Sequence, residues 1–210
     1  MDADAVELRV LGCLLEKQRT TPDVYPLSLN ALRLACNQAT NREPVVDYDE
    51  PTIRAALERL SRRGWVRLAS GPGSRAAKYR HMLDQAIQVT DGELALLCVL
   101  LLRGAQTLGE LKGRTERLHR FDSLEEVEGH LDALAERDLV TVLPRRPGQK
   151  EQRYAQLLGN GSTGTAPAHH AESLPLPPEP DDRLAAVERE VRELRDEMTG
   201  LRSRLDALER

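Results

Sequence analysis

Aromatic residues are scarce in this chain of 210 residues, which has one tryptophan, one phenylalanine and four tyrosines. None of them lies in residues 159–210, so that region differs in composition from the rest of the chain. Long apolar runs are missing as well. No run reaches the roughly 18 residues that a membrane-spanning helix needs, so we expect neither a transmembrane segment nor a membrane partner.

Cysteine is also rare, with three widely spaced residues, Cys13, Cys36 and Cys98, and no CxxC pair. An odd number at this spacing fits a reduced protein better than a disulfide scaffold or a zinc site. The first residues are acidic and do not resemble a secretion signal. We therefore expect a reduced, cytoplasmic protein without a bound metal.

Sequence motifs of the common enzyme classes are missing too. The five histidines form neither an HExxH motif nor a Cys/His cluster. The chain has no GxSxG, no GxxxxGK[ST] and no GxGxxG after a strand. The sequence therefore predicts a protein that is not an enzyme and needs no cofactor.

Charge is abundant but nearly balanced, with 30 basic and 34 acidic residues and a net charge of −4. The balance differs between regions: it is positive in residues 1–88 and negative in residues 89–158 and 181–210. Local fields therefore matter more for the choice of partner than the total charge does.

An internal repeat fills the first 158 residues. The apolar positions of residues 7–15 recur in residues 93–101, and those of residues 52–60 recur in residues 126–134. Their spacing is helical, and Thr90 with Glu93 forms the pattern of a capping box. The middle helix of each copy is predicted at Leu27–Gln38 and at Thr107–Thr115.

Each copy then continues with the signals of a β-hairpin. A turn is predicted at Gly64 in the first copy and at Asp138 in the second, since these residue types tolerate the left-handed conformation. Two short strands around a Gly/Pro turn follow. The predicted strands are residues 65–68 and 78–83 in the first copy, and residues 139–143 and 153–158 in the second.

The order helix, helix, helix, strand, turn, strand is that of a winged helix-turn-helix domain. The sequence therefore predicts a mostly α protein with small β-hairpins (α+β), made of two tandem winged-helix domains, residues 1–88 and 89–158. Residues 159–180 are rich in Gly and Pro and predict a disordered linker. Residues 181–210 predict a coiled-coil helix.

The coiled-coil prediction depends on a heptad repeat. Its apolar seam is Leu184, Val187, Val191, Leu194, Met198, Leu201, Leu205 and Leu208. The g and following e positions carry opposite charges, which favours a parallel homodimer. The alternative is a single charged helix, in which Glu/Arg pairs at i,i+4 stabilise one strand only.

Several stretches of the chain resemble the YceH family of bacterial proteins. They are YPLSLNAL (25–32), ACNQ (35–38), NREPV (41–45), LLRGAQT (101–107), RLHRF (117–121) and LPRRPGQKEQRY (143–154). The resemblance covers essentially residues 5–158. It implies tandem winged-helix domains and no particular activity.

The first copy has a basic candidate site for nucleic acid, because the third helix of a winged helix usually reads the major groove. The candidate residues are Arg54, Arg59, Arg62, Arg63, Arg67, Arg75, Lys78 and Arg80. Arginine contacts phosphates and guanine edges. Glu58 on the same helix face opposes this interpretation, and a solvated face with Glu/Arg pairs is the alternative.

A polar set lies between the second and third helices of the first copy: Asn37, Gln38, Asn41 and Arg42. Asparagine and glutamine can bind adenine edges. The alternative, which we favour, is capping and turn chemistry, because asparagine prefers helix ends and left-handed conformations.

The third helix of the second copy has an acidic outer face, formed by Glu125, Gly129, Asp132 and Glu136. Phosphate would repel this face, so we expect it to pack or to bind a protein. The predicted wing of this copy stays basic, with Arg145, Arg146, Lys150 and Arg153.

Together these patterns predict a homodimeric protein that binds double-stranded DNA and belongs to the class of transcriptional regulators. The alternative is a protein-interaction adaptor, whose winged helices bind a partner protein at the acidic second domain rather than DNA.

Overall fold

The computed structural model describes residues 2–69, 77–145 and 151–159. In these ranges the chain is mostly helical, with small antiparallel sheets. Arg75, Arg146 and Lys150, the predicted linker from residue 160 onward and the predicted coiled coil with its whole apolar seam lie outside the described residues. No helix in the described ranges is both long and apolar enough to cross a membrane.

The first half, residues 2–88, contains four helices and three strands in its described part. They are α1 (Ala5–Thr20), β1 (Leu27–Ser28), α2 (Leu29–Cys36), α3 (Glu50–Arg62), β2 (Val66–Leu68), β3 (Lys78–His81) and α4 (Leu83–Ile87). A 3₁₀ turn, Pro22–Val24, precedes β1. The strands form an antiparallel sheet in the order β1-β3-β2.

The described part of the second half, residues 89–159, repeats this order with three helices and two strands. They are α5 (Asp91–Arg103), α6 (Leu108–Thr115), α7 (Leu124–Ala135), β4 (Val140–Leu143) and β5 (Arg153–Gln156). β4 and β5 pair antiparallel. An isolated bridge between Gln106 and Tyr154 lies where β1 pairs in the first half.

Local signals place the helix ends. The predicted capping box of α5 is confirmed, because Thr90 accepts from the Glu93 backbone and Glu93 accepts from the Thr90 backbone. Asp4 and Glu7 form the same arrangement at the start of α1. Gly64 and Asp138 follow α3 and α7 at positive φ, +74° and 53°, as their sequence pattern predicts.

Several predicted boundaries are wrong, including the end of the second helix, which lies at Cys36, and the end of the last strand, which lies at Gln156. The predicted helix Leu27–Gln38 begins only at Leu29, because Leu27 pairs with Tyr79 in the sheet and the Ser28 hydroxyl caps the helix by accepting from the Ala31 amide at 3.3 Å. The predicted strand 78–83 ends at His81, and Leu83 begins the short helix α4. An apolar residue such as Leu27 or Leu83 fits a strand and a helix equally well, so pattern alone cannot place these limits.

The two halves share one hydrophobic core, with α1 and α5 packed together at its centre. A Cβ at Gly12 would lie 2.8 Å from Leu102 Cδ2, so a larger residue there would force the Leu102 side chain to move. The thiol of Cys98 donates to the Gly12 carbonyl at 3.5 Å. Helix α5 is buried on every side over residues 92–102, as expected for a helix that is apolar all round.

Candidate nucleic-acid interface

Helix α3 presents the two faces that its sequence predicts. Ile53, Leu57 and Leu60 are buried against α1 and α2, whereas Arg54 and Arg62 are exposed. The Asp49 carboxylate caps this helix by accepting from the Thr52 amide at 2.9 Å. Packing of the apolar face of α3 therefore determines which side chains of the helix face the solvent.

The sheet beside α3 carries a pair of arginines. Arg67 on β2 lies directly opposite Arg80 on β3, and both are exposed. Their neighbours Val66 and His81 point to the other face of the sheet and are buried. Like charges at directly opposed positions destabilise a sheet. Neither arginine has an acidic partner within the described residues.

A groove with a volume of about 550 Å³ lies between α3 and β3. Its lining is Arg54, Leu57, Glu58, Ser61, Arg62 and Tyr79. Arg54 forms an ion pair with Glu50 at 3.1 Å, so part of its charge is used within the helix. Arg62 has no such partner in the described part of the chain. The groove is thus polar and weakly basic.

Tyr79 lies between the groove and the arginine pair of the sheet, and it was not among the site residues predicted from the sequence. Its side chain lines the groove, whereas its neighbours Arg80 and Lys78 lie on the opposite face of the strand. The basic side chains of β3 therefore lie on the face opposite the groove, whereas Arg54 and Arg62 of α3 line the groove itself. The alternation of Lys78, Tyr79 and Arg80 along the strand was the signal that could have shown this.

Arg59 and Arg63, two of the predicted site residues, point toward α1 instead. Arg59 Nη2 lies 2.6 Å from Asp4 Oδ2, and its Nε lies 3.5 Å from Glu7 Oε2. Arg63 Nε lies 3.3 Å from Glu7 Oε1, and its guanidinium lies 5.7 Å from the Trp65 ring centroid. The Glu7 side chain is buried, so these arginines neutralise an internal charge.

The polar set between α2 and α3 is occupied by internal hydrogen bonds. Asn37 is the C-cap of α2 and bonds both the Tyr48 amide and the Tyr48 carbonyl, each at 2.9 Å. Asn41 has a φ of 59°, in the left-handed region. These contacts are the capping and turn interactions that we favoured over binding of adenine edges for this polar set.

Arg42 is fully buried and forms a bidentate ion pair with Glu16, with distances of 2.6 and 3.0 Å. It also donates to Gln38 Oε1 at 3.0 Å and to the Ala35 carbonyl at 3.1 Å. Burial opposes the charge of Arg42, but the bonds to Glu16 outweigh it and raise its pKa above the ordinary value. Arg42 and Gln38 therefore hold the loop in place.

The second half carries an acidic surface at the equivalent place. Glu128, Asp132 and Glu136 are exposed on α7, at the positions that correspond to Arg54, Glu58 and Arg62. Burial raises the pKa of Tyr154 on β5, and the charges of Glu128 and Asp132 raise it further, which places this ring beside the acidic face.

The two predicted basic residues of the second hairpin that the structure describes differ in their surroundings. Arg153 is anchored, since its Nη1 donates to the Ala105 carbonyl at 2.9 Å and to Glu110 Oε2 at 3.2 Å. Arg145 is exposed. The second half is therefore a poorer surface for phosphate than the first.

The described residues define a small, mostly helical α+β protein with a basic surface on one half and an acidic surface on the other. A family model with the description "Protein of unknown function, DUF480" matches residues 3–149. The chain belongs to this family.

Relatives match the chain over most of its length. A UPF0502 protein of Solibacter usitatus (strain Ellin6076) is 50% identical over 192 residues, which cover 91% of this chain and 92% of that protein. A UPF0502 protein of Shewanella amazonensis (strain ATCC BAA-1098 / SB2B) is 44% identical over 211 residues, which cover 98% and 96% of the two chains. The family model and these relatives thus place most of the chain in the DUF480/UPF0502 family.

Proposed function

We propose that this protein is a non-enzymatic, DNA-associated protein of the transcriptional-regulator class, made of two tandem winged helices. Helix α3 enters the major groove, and the β2–β3 ribbon contacts the neighbouring phosphate backbone. The family resemblance to YceH proteins agrees with this arrangement. The first half supplies the DNA contacts.

The pair Arg67 and Arg80 carries this proposal. Two exposed arginines that face each other across a sheet cost stability unless an anion lies between or beside them. A duplex supplies a closely spaced row of such anions. The basic side chains of the ribbon share its exposed face, which is the face that would lie against the phosphates.

The set of proposed contacts is smaller than the one predicted from sequence. Arg54, Arg62, Arg67, Lys78 and Arg80 remain, because they are exposed on α3 or on the ribbon. Arg59 and Arg63 leave the set, since their charges neutralise the buried Glu7 carboxylate. Arg42 leaves it because it is buried.

Dimerisation through the predicted coiled coil of residues 181–210 is part of the proposal. Two protomers on one duplex would double the number of phosphate contacts and set the spacing of two half-sites. The reduced cytoplasmic location predicted from the cysteines remains part of it as well.

The proposal is tested by fluorescence anisotropy of the full chain on a duplex of about three helical turns, near physiological salt. The double variant Arg67→Ala/Arg80→Ala should bind at least tenfold more weakly. Arg120→Ala is the matched control, since Arg120 is exposed on the second half. Equal affinities of the double variant and the native chain would contradict the proposal.

The second candidate function is a protein-interaction adaptor. The observation that favours it is the acidic face of α7, beside which the apolar side chains of Leu124 and Val142 are 43% and 42% exposed. Affinity purification from cells, with both DNA and proteins identified, separates the two functions. An adaptor predicts one stoichiometric protein partner that Asp132→Asn weakens, and no duplex affinity near physiological salt.

A further inference from the structure

A pocket with a volume of about 260 Å³ lies where the two halves meet, away from the proposed DNA surface. Helix α1 and the loop before α3 form one side, and α5, α6 and the turn after α6 form the other. Its lining is Glu16, Thr20, Asn41, Cys98, Val99, Leu102, Arg103, Gly113, Arg114, Arg117 and Leu118. We call it the arginine pocket.

Three arginines, Arg103, Arg114 and Arg117, give the pocket an excess of positive charge. The one carboxylate among the lining residues, that of Glu16, is already held by Arg42 in a bidentate pair at 2.6 and 3.0 Å. Both carboxylate oxygens of Glu16 are therefore bonded to Arg42, and the three lining arginines outnumber the one lining carboxylate.

The acidic neighbour of Arg114 is also committed elsewhere. Glu110 lies 3.5 Å from Arg114, but it also accepts from Arg153 at 3.2 Å and from the Thr107 amide at 2.9 Å. Arg117 is exposed and has no ion pair within the described residues. The pocket thus holds more basic than acidic groups, since Glu110 is shared between Arg114 and Arg153 and Arg117 has no carboxylate partner in the described ranges.

The surroundings of Arg103 show the same excess. Partial burial and the nearby charges of Arg114 and Arg42 lower the pKa of Arg103 from its ordinary value, and the carboxylates of Glu16 and Glu43 oppose this shift only in part. Within the pocket, the Arg103 guanidinium donates a hydrogen bond to the neutral side-chain oxygen of Asn41. An anion in the same place would give this guanidinium a stronger, charge-assisted bond.

The floor of the pocket is apolar. It is formed by Cys98, Val99 and Leu102 of α5 and by Leu118 after α6. A few charged groups above an apolar floor are typical of small-molecule sites, and the volume of about 260 Å³ lies slightly below the roughly 300–1,000 Å³ of drug-sized sites. A ligand of few atoms fits this space.

We propose that the arginine pocket binds a small organic anion. Its carboxylate or phosphate group pairs with the three arginines, and its short apolar part lies on the floor. Guanidinium groups match both kinds of oxyanion through parallel hydrogen bonds. This site is separate from the duplex contacts of the proposed function and does not depend on them.

The location of the pocket links a ligand to the loop that precedes α3. Asn41 accepts from Arg103, and the Glu43 amide donates to the Leu102 carbonyl at 2.8 Å. An anion that takes Arg103 from Asn41 would loosen this loop. An effect on DNA binding would follow only if the proposed function is correct, so the test below measures ligand binding alone.

The test is isothermal titration of the full chain at low, constant ionic strength in chloride. Acetate and pentanoate are the carboxylate probes, and inorganic phosphate and butyl phosphate are the phosphate probes. We expect saturable binding of pentanoate or butyl phosphate, at least fivefold tighter than that of the matching probe without the apolar part. The tighter of the two organic probes identifies the oxyanion.

Arg117→Ala should weaken this binding at least tenfold and leave the unliganded thermal midpoint unchanged, because Arg117 is exposed. The matched control is Arg120→Ala, which removes the same charge three residues away and outside the pocket, and it should change the affinity less than twofold. Absence of saturable binding of all four probes would overturn the proposal. Equal losses in the two variants would overturn it too, since they indicate general charge screening.

Discussion

Arg67 and Arg80 lie directly opposite each other on the antiparallel strands β2 and β3, and both side chains are exposed. Opposed like charges weaken a sheet, so this arrangement lowers the stability of the isolated protein. A phosphate backbone alongside the strands would reverse the effect. Stability and binding should therefore respond in opposite directions to substitutions at this pair.

The substitution Arg80→Glu tests directly whether stability and DNA binding change in opposite directions. It replaces a repulsive cross-strand pair by an attractive one, which should raise the free energy of unfolding by about 0.5 kcal/mol. The same change should abolish measurable duplex binding near physiological salt, because it places a carboxylate next to phosphate. Urea unfolding and fluorescence anisotropy on the same preparation give the two values. A variant that is less stable, or that binds DNA like the native chain, contradicts the interpretation of the pair.

Arg59 and Arg54 lie on the same helix but should differ in their contribution to stability. Arg59→Ala removes one of the two cations beside the buried Glu7 carboxylate, so we expect a loss of about 1–2 kcal/mol in the free energy of unfolding. Arg54→Ala breaks only an exposed pair with Glu50 and should cost less than about 0.5 kcal/mol. Urea unfolding of both variants measures the difference, and equal values would show that Glu7 does not need Arg59.

His81 should make the fold sensitive to acid. Its ring is 2% exposed and bonds Gln18. Burial lowers its pKa to about 4, against the opposing effect of the Asp84 carboxylate, and the charges of Arg80 and Arg19 lower it further. Because the folded-state pKa lies below the unfolded value of about 6.5, the unfolded chain takes up the proton first. Stability is full above about pH 6.5 and falls as the pH approaches 4, by about 3 kcal/mol in total.

The pH dependence is measured by urea unfolding across this range for the native chain and for His81→Gln, which keeps a neutral polar side chain. The variant should lose less stability on acidification than the native chain. The ring protons of His81, followed by NMR in the folded protein, should titrate near pH 4. A midpoint near 6.5 would mean that burial does not control this group.

The predicted coiled coil should determine the oligomeric state. The four g-to-e pairs of the heptad, Arg183 with Glu188 through Arg204 with Glu209, are opposite in sign across a parallel interface. The full chain should therefore have twice the monomer mass in solution, and a chain truncated after residue 170 should be monomeric. Mass photometry or light scattering decides this. Monomer masses for both chains would exclude the coiled-coil dimer.

Much of the architecture was predictable because helical periodicity and turn residues are local signals. The apolar spacing of Ile53, Leu57 and Leu60 gave the buried face of α3, and Gly64 and Asp138 gave the turns. The strand Leu27–Ser28 was missed, because a two-residue strand depends on pairing with Tyr79 and Lys78, some 50 residues away in the chain.

The charged residues were harder to assign, since their partners are remote. The sequence shows that Arg59 is basic and lies on a helix flank, but its ion pair with Asp4 spans 55 residues. Arg42 looks like a surface side chain in the sequence and is buried against Glu16 in the fold. The arginine pocket combines segments around residues 16, 41, 103 and 117, which no single stretch of sequence brings together.

The most direct test of DNA binding is the salt dependence of duplex affinity for the full chain. Each phosphate contact contributes about 0.9 to the slope of log K against log salt concentration. Loss of Arg67 and Arg80 should therefore make the slope shallower by about 0.9 for each contact that the double alanine variant removes. We predict a steep slope for the native chain and a clearly shallower one for the variant, with the Arg120→Ala slope unchanged. Identical slopes and affinities for the native chain and the double variant would contradict the proposal that this surface binds DNA.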